Sequence, residues 1–289
     1  MPISPSPWRA LLTDHPLILA TVLALSAAVL HSAWNLAVKL SGDRLVTTWA
    51  MFLYGAAASA PILLFTGSPG SQVVPFLVAS AAVHVVYVWL LTRAYDLGDF
   101  SMAYPVARGG GALLAALGGV LLLSDHLSLA AGAGIGVVLL GLLSLARLRS
   151  SGVALAAALG TAAMIGTYTL IDSHGARQAD GIGYGLAVSI AAAGSLSAFC
   201  VASGRGPKLL PAMRSWRVAG GGIASAAAYT FVLVAVRHAP VGYVACLRES
   251  SVVLGALAGW WILHEPMPRG RIVSSALVAA GVAIMVIAR

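Results

Sequence analysis

Residues 117–145 read LGGVLLLSDHLSLAAGAGIGVVLLGLLSL, and residues 257–287 read LAGWWILHEPMPRGRIVSSALVAAGVAIMVI. Each stretch is an apolar run, an acidic residue (Asp125 or Glu265), a short turn, and a second apolar run rich in small residues. The runs are continuously apolar rather than alternating, which excludes a β-barrel. Their length approaches the roughly 20 residues an α-helix needs to cross a bilayer. Displacing the chain by 140 residues lays Arg108 on Arg248, Asp125 on Glu265, Gly119 on Gly259 and Gly141 on Gly281. Coinciding Leu and Gly are cheap in such a sequence, but coinciding arginines and acids are not.

Cutting outward from these stretches at charges, Pro/Gly clusters and polar pairs gives ten apolar runs. They are 17–40, 45–66, 73–96, 99–123, 128–147, 153–174, 181–203, 216–238, 240–263 and 269–288. The expected fold is an all-α membrane protein with ten transmembrane helices. The proline-rich residues 1–16 form a tail, residues 17–148 a first five-helix repeat and residues 149–289 a second. A repeat of five spans is odd, so the second copy enters the membrane upside down. Inverted repeats of this kind occur in secondary transporters, where exchange of conformations between the halves moves a cavity from one side to the other.

Composition agrees. Of 289 residues 60% are hydrophobic and 9% charged, where soluble domains carry about 25% charged residues. Mean hydropathy is +0.93. A soluble enzyme, a disordered chain and a disulfide-stapled domain are all excluded. The net charge of +8 reflects basic residues between apolar runs, with no nucleic-acid motif. Cys200 and Cys246 sit inside apolar runs and carry no CxxC or zinc spacing. Basic residues outside the spans fall mostly in the loops that leave odd-numbered spans, which by the positive-inside rule sets both termini outside.

The quoted repeat endings resemble those of the drug/metabolite transporter superfamily, EamA type. The stretch LSAAVLHSAWNLAVKLSGD (25–43) is similar to that family's first helix, and IGTYTLIDSHG (165–175) to its counterpart in the second half. Within the superfamily a chain of this size resembles the amino-acid and metabolite exporters of the bacterial inner (plasma) membrane, including the YddG-like aromatic amino-acid exporters. The resemblance implies a central cavity lined by helices 1–4 and 6–9, with helices 5 and 10 peripheral, and both termini in the cytoplasm, the opposite of the loop-charge reading. The chain departs from the family in having Asp125 where Glu is commoner. It also has Cys246 and Leu247 where the family leads one to expect a Pro, while the first half keeps Tyr104-Pro105.

Polar residues inside spans are costly and face a cavity or a partner. Trp34 and Asn35 share a helix face with His31 at i, i+3 and i+4. His84 and Tyr87 lie in the third span, Tyr104 and Arg108 in the fourth, Tyr168 in the sixth, Tyr229 in the eighth and Arg248 in the ninth. These nine (Trp34, Asn35, His84, Tyr87, Tyr104, Arg108, Tyr168, Tyr229 and Arg248) are the candidate substrate-binding residues. Either arginine is able to hold a substrate carboxylate bidentately. The competing reading is an internal ion pair, Arg248 with Glu249 or Asp172. The aromatic residues, Tyr54 included, read either as a cavity lining or as core and interfacial belt. His31, His84, Asp172 and Glu249 are the in-span groups that proton coupling would use, and a passive carrier fits equally. Gly109-Gly110-Gly111 reads as a hinge or as close packing. Gly132 and Gly136 fit small-xxx-small helix contact better than a dinucleotide loop, since no strand precedes them.

The function expected is export of small metabolites, above all amino acids (aromatic or large apolar ones), by alternating access through a central cavity. Alternatives are a multidrug or lipid-linked-sugar flippase of the same superfamily, or an intramembrane enzyme, for which no clustered acid/base or metal set is visible. No Walker motif is present, and no cofactor is expected. The partners expected are a small-molecule substrate and membrane lipid, with no nucleic acid, in a monomer or homodimer.

Overall fold

A computed structural model describes residues 16–98, 100–146, 152–261 and 269–287. The helices are α1 (Pro16–Lys39), α2 (Arg44–Thr66), α3 (Val74–Leu97), α4 (Phe100–Leu122), α5 (Leu129–Ala146) and α6 (Gly152–Gln178). They continue with α7 (Gly181–Ala202), the short α8 (Leu209–Met213), α9 (Trp216–Ala235), α10 (Val241–Arg248), α11 (Ser250–Trp261) and α12 (Arg269–Ile287). Local sequence explains several ends. Asp43 accepts a hydrogen bond from the Val46 amide and caps α2, as Asp180 does from the Gly183 amide for α7. α2 stops at Gly67, whose φ of 87° favours glycine.

Among the described residues six helices are long and apolar enough to cross a membrane: α1, α2, α3 with its preceding turn, α6, α7 and α9. The apolar stretches Val106–Leu122, Leu129–Ser144 and Ile272–Ile287 are shorter. The ninth run departs from expectation. It is not one helix but two, α10 and α11, with a turn at Glu249. Glu265, the repeat mate of Asp125, lies outside the described residues.

The exterior is greasy, and the largely apolar interior holds a few charged groups. Leu64, Phe65, Leu121 and Leu129 are 77% exposed or more, while Arg108, Asp172, Arg248 and Glu249 are buried. Such an outer face needs lipid rather than water against it. Trp216 and Trp261 stand exposed at helix ends, where interfacial aromatic residues sit.

The two halves of the chain interleave. α6 packs on α3 and α4, and α1 packs on α9, α10 and α11. α2 packs on α7 and α9, and α7 on α2 and α3. α5 meets α4 and α12, and α12 meets α11 and α5. Exchanging each first-half helix with its second-half counterpart leaves this pattern unchanged. Ion pairs follow it with charges swapped. Arg44 at the start of α2 meets Asp96 at the end of α3 at 2.6 Å, and Asp180 at the start of α7 faces Arg237 after α9 at 3.7 Å.

Small residues set the closest crossings. At the α5–α12 contact, a Cβ on Gly281 would stand 2.7 Å from the Gly134 carbonyl oxygen and the Val138 amide. Backbone cannot yield as a side-chain tip can, so Gly281→Ala is expected to destabilise by about 1–3 kcal/mol, read as a lower midpoint of thermal unfolding in detergent. Gly136→Ala, with nothing within 4 Å, should be neutral or mildly stabilising. That open surrounding also shows that Gly132 and Gly136 are not the contact glycines. The register places Gly134 there instead. The Gly109–Gly111 run acts in packing. α4 continues through it, and Cβ atoms there would strike Leu142, Ala162 and Ile165.

Candidate solute cavity

A small cavity of about 60 Å³ lies among helices of both halves. α1 contributes His31 and Trp34, α2 Phe52, α3 His84 and Tyr87, and α6 Tyr168. α7 contributes Val188, Ser189 and Ala192, α9 Ser225 and Tyr229, and α10 Arg248.

The wall is an aromatic box. His84 stacks on Tyr168 with ring centroids 4.4 Å apart and planes 27° apart. Tyr87 and Tyr229 meet the His84 ring edge-on at 6.0 and 5.9 Å, and Phe52 approaches it at 6.4 Å. Local bonds orient the rings. His84 Nδ1 donates to the Ser80 carbonyl one turn back at 2.8 Å. A carbonyl only accepts, so the hydrogen of neutral His84 is on Nδ1. His31 is the opposite tautomer, since Trp34 Nε1 donates to its Nδ1 at 3.2 Å.

Arg248 ends α10 at the helix break and is 2% exposed. Among the described residues no carboxylate lies within ion-pair distance of it, and its Nε has no protein partner. It is the charged group of the cavity wall. Arg108 has a different fate. Its Nη2 donates to Glu249 Oε1 at 2.7 Å, with both side chains buried. This corrects the expected pairing of Glu249 with Arg248. Neighbours in sequence do not face each other on a helix, and Glu249 reaches across to α4 instead.

Behind the wall lies Asp172 of α6, fully buried. Its carboxylate accepts from Ser80 Oγ at 2.7 Å, Tyr184 Oη at 3.0 Å and Tyr229 Oη at 2.5 Å.

Six of the nine residues expected at a site, Trp34, His84, Tyr87, Tyr168, Tyr229 and Arg248, come together around this cavity. Asn35, Tyr104 and Arg108 do not line it. Asn35 Nδ2 donates to the His31 carbonyl at 2.8 Å within its own helix. Tyr104 Oη lies 3.2 Å from Ser251 Oγ, and Arg108 is held by Glu249. The polar face of α4 therefore serves the contact with α10 and α11. Tyr54, also considered for the lining, donates to the Met213 carbonyl at 2.6 Å. The site set lacked Phe52, Val188, Ser189, Ala192 and Ser225, which no local signal separates from ordinary span residues. His31 was legible through its spacing from Trp34.

A solved crystal structure aligns with 93% of this chain and 96% of its own, at 20% identity and a TM-score of 0.72, and so shares the fold. No curated protein matches the sequence. Residues 152–287 match the EamA-like transporter family, which supports a place for this chain in the drug/metabolite transporter superfamily.

Proposed function

We propose that this chain is a multi-pass membrane transporter that exports small metabolites carrying a carboxylate, foremost amino acids with aromatic or large apolar side chains, in the manner of YddG-like exporters of the bacterial inner membrane. The observation that carries the reading is Arg248, a buried guanidinium with no carboxylate partner among the described residues, at the wall of an aromatic box. A buried cation is costly alone and favours an anionic guest. The surrounding rings offer flat apolar surface on which a side chain can stack. The helix break beside Arg248 is the kind of interruption at which transporters place substrate.

The packing pattern supports two inverted five-helix repeats, residues 17–148 and 149–289, working by alternating access. Neighbours and ion pairs exchange between the halves, so rocking one half against the other relocates the opening without rebuilding the cavity. Arg108–Glu249 ties α4 to the helix break beside the cavity-lining Arg248.

The test is uptake into proteoliposomes of the purified full chain. The panel is L-phenylalanine, L-leucine, L-glutamate, a hexose and a cationic dye. Phenylalanine or leucine should move, with competition between them. Movement of the dye alone, or of the hexose alone, would reject the amino-acid reading.

A further inference from the structure

We propose that Asp172, caged by the hydroxyls of Ser80, Tyr184 and Tyr229 behind the cavity wall, is a reversible proton-binding site linked to cavity occupancy. The site stands on its own geometry; only its link to a solute rests on the transporter reading.

Among the described residues no basic side chain is paired with Asp172, and Arg248 lines the cavity that Tyr229 also lines. α3 presents Ser80 and His84, and the His84 Nδ1 hydrogen is directed at Ser80. α7 presents Tyr184 and α9 presents Tyr229. α4 brings Arg108, which is paired with Glu249, and the turn Ser71–Val73 brings no titratable group. On α6 itself Tyr168 is stacked on His84, His174 faces Gln178 in an exposed pair, and Arg177 is paired with Asp125. The ionised carboxylate is thus held by three charge-assisted hydrogen bonds alone.

The protonated acid fits the same cage. A hydroxyl both donates and accepts. When a hydronium ion in the cavity gives its proton to Asp172 Oδ2, one O–H bond of the hydronium breaks, one O–H bond forms on the carboxyl, and water is left behind. Ser80 or Tyr229 then turns from donor to acceptor. The exchange asks for rotation of a hydroxyl rather than movement of a helix, which suits a reversible site. An amide would staple α3, α6, α7 and α9 together equally well, and what the carboxylate adds is the ability to exchange a proton.

Tyr229 connects this site to the solute. It lines the cavity and its hydroxyl is also a donor to Asp172. A solute group that accepts from Tyr229 withdraws one donor from the carboxylate, and a proton takes its place. By linkage, protonation favours the solute to the same extent.

The experiment reads the side chain directly. Full-length protein labelled with ¹³C-aspartate, in lipid nanodiscs, is compared by infrared difference spectroscopy between about pH 5 and about pH 9. The expected result is a carboxylic-acid C=O band that appears on the acid side and is lost in Asp172→Asn. Tyr229→Phe, which removes one hydrogen bond, should displace that band, and it assigns the site should Asp172→Asn fail to fold. No pH-dependent acid band attributable to Asp172, or a band indifferent to Tyr229→Phe, overturns the proposal. A silent transport panel with the band present would reject the transporter reading and leave the proton site standing. Active transport with no band would do the reverse.

Discussion

Glu249→Ala is expected to destabilise the protein by about 3–5 kcal/mol, the cost of breaking a buried ion pair from one side. The reason is the orphan it creates. Arg108 is buried within α4 and places Nη2 on Glu249 Oε1 at 2.7 Å, while its Nε and Nη1 already lack protein partners. Without the carboxylate a full positive charge remains buried with no counter-charge from Glu249. The loss should appear as a large drop in the thermal or denaturant midpoint of the detergent-solubilised chain. Replacing both partners, Arg108→Met with Glu249→Leu, should recover most of that loss, because apolar side chains of similar volume carry no desolvation penalty. A single-substitution effect below about 1 kcal/mol, the range of exposed pairs, would show that the pair is not the lock described here.

Arg248→Gln is expected to weaken binding of a carboxylate-bearing solute by about 30-fold or more, since loss of one partner of a buried charged contact costs about 2–5 kcal/mol. The contrast with Glu249→Ala is the point of the experiment. Arg248 has no carboxylate partner among the described residues, so its removal should spare stability while removing affinity. Pairing the substitution with a change in the solute isolates the contact. L-phenylalaninamide should bind wild-type protein as poorly as L-phenylalanine binds Arg248→Gln, and the two changes together should cost little more than either alone. Arg248→Lys should restore part of the affinity, because a point charge replaces a planar fork. Equal loss for acid and amide in Arg248→Gln would assign Arg248 a structural role.

These two outcomes rest on a distinction that the sequence does not contain. Arg108 and Arg248 coincide when the chain is displaced by 140 residues and lie in similar apolar surroundings, so by sequence either could have met a solute. What separates them is Glu249. It follows Arg248 in the chain yet cannot face it, because adjacent helical residues diverge around the axis. The turn between α10 and α11 directs Glu249 toward α4, so one arginine is neutralised and the other is left to the cavity. A window of apolar residues from 240 to 263 gives no sign of that turn. Proline, the usual signal for one, is absent where Cys246 and Leu247 stand.

The aromatic box was legible in part. Trp34, Tyr87, Tyr168 and Tyr229 stand out because large polar-tipped rings within spans are conspicuous. Tyr54 and Tyr104 are equally conspicuous and point elsewhere, one to the Met213 carbonyl and one toward Ser251. Val188, Ala192 and Phe52 were invisible, since nothing local marks which apolar face of a helix borders empty space. The glycine contacts follow the same logic. Gly132, Gly134 and Gly136 are equivalent in sequence, and only the crossing with Gly281 of α12 selects Gly134.

What the sequence by itself determined is where the helices run, that they are bordered by charges and prolines, and that two stretches of the chain echo one another. These are local properties, read over about 20 residues against the thickness of a bilayer. Only the tertiary structure decided which helix is broken, which arginine is paired, which rings share a wall and that Asp172 sits behind Tyr229. Those depend on the rotation and crossing of helices far apart in the chain, and no hydropathy pattern encodes the angle at which one helix meets the next.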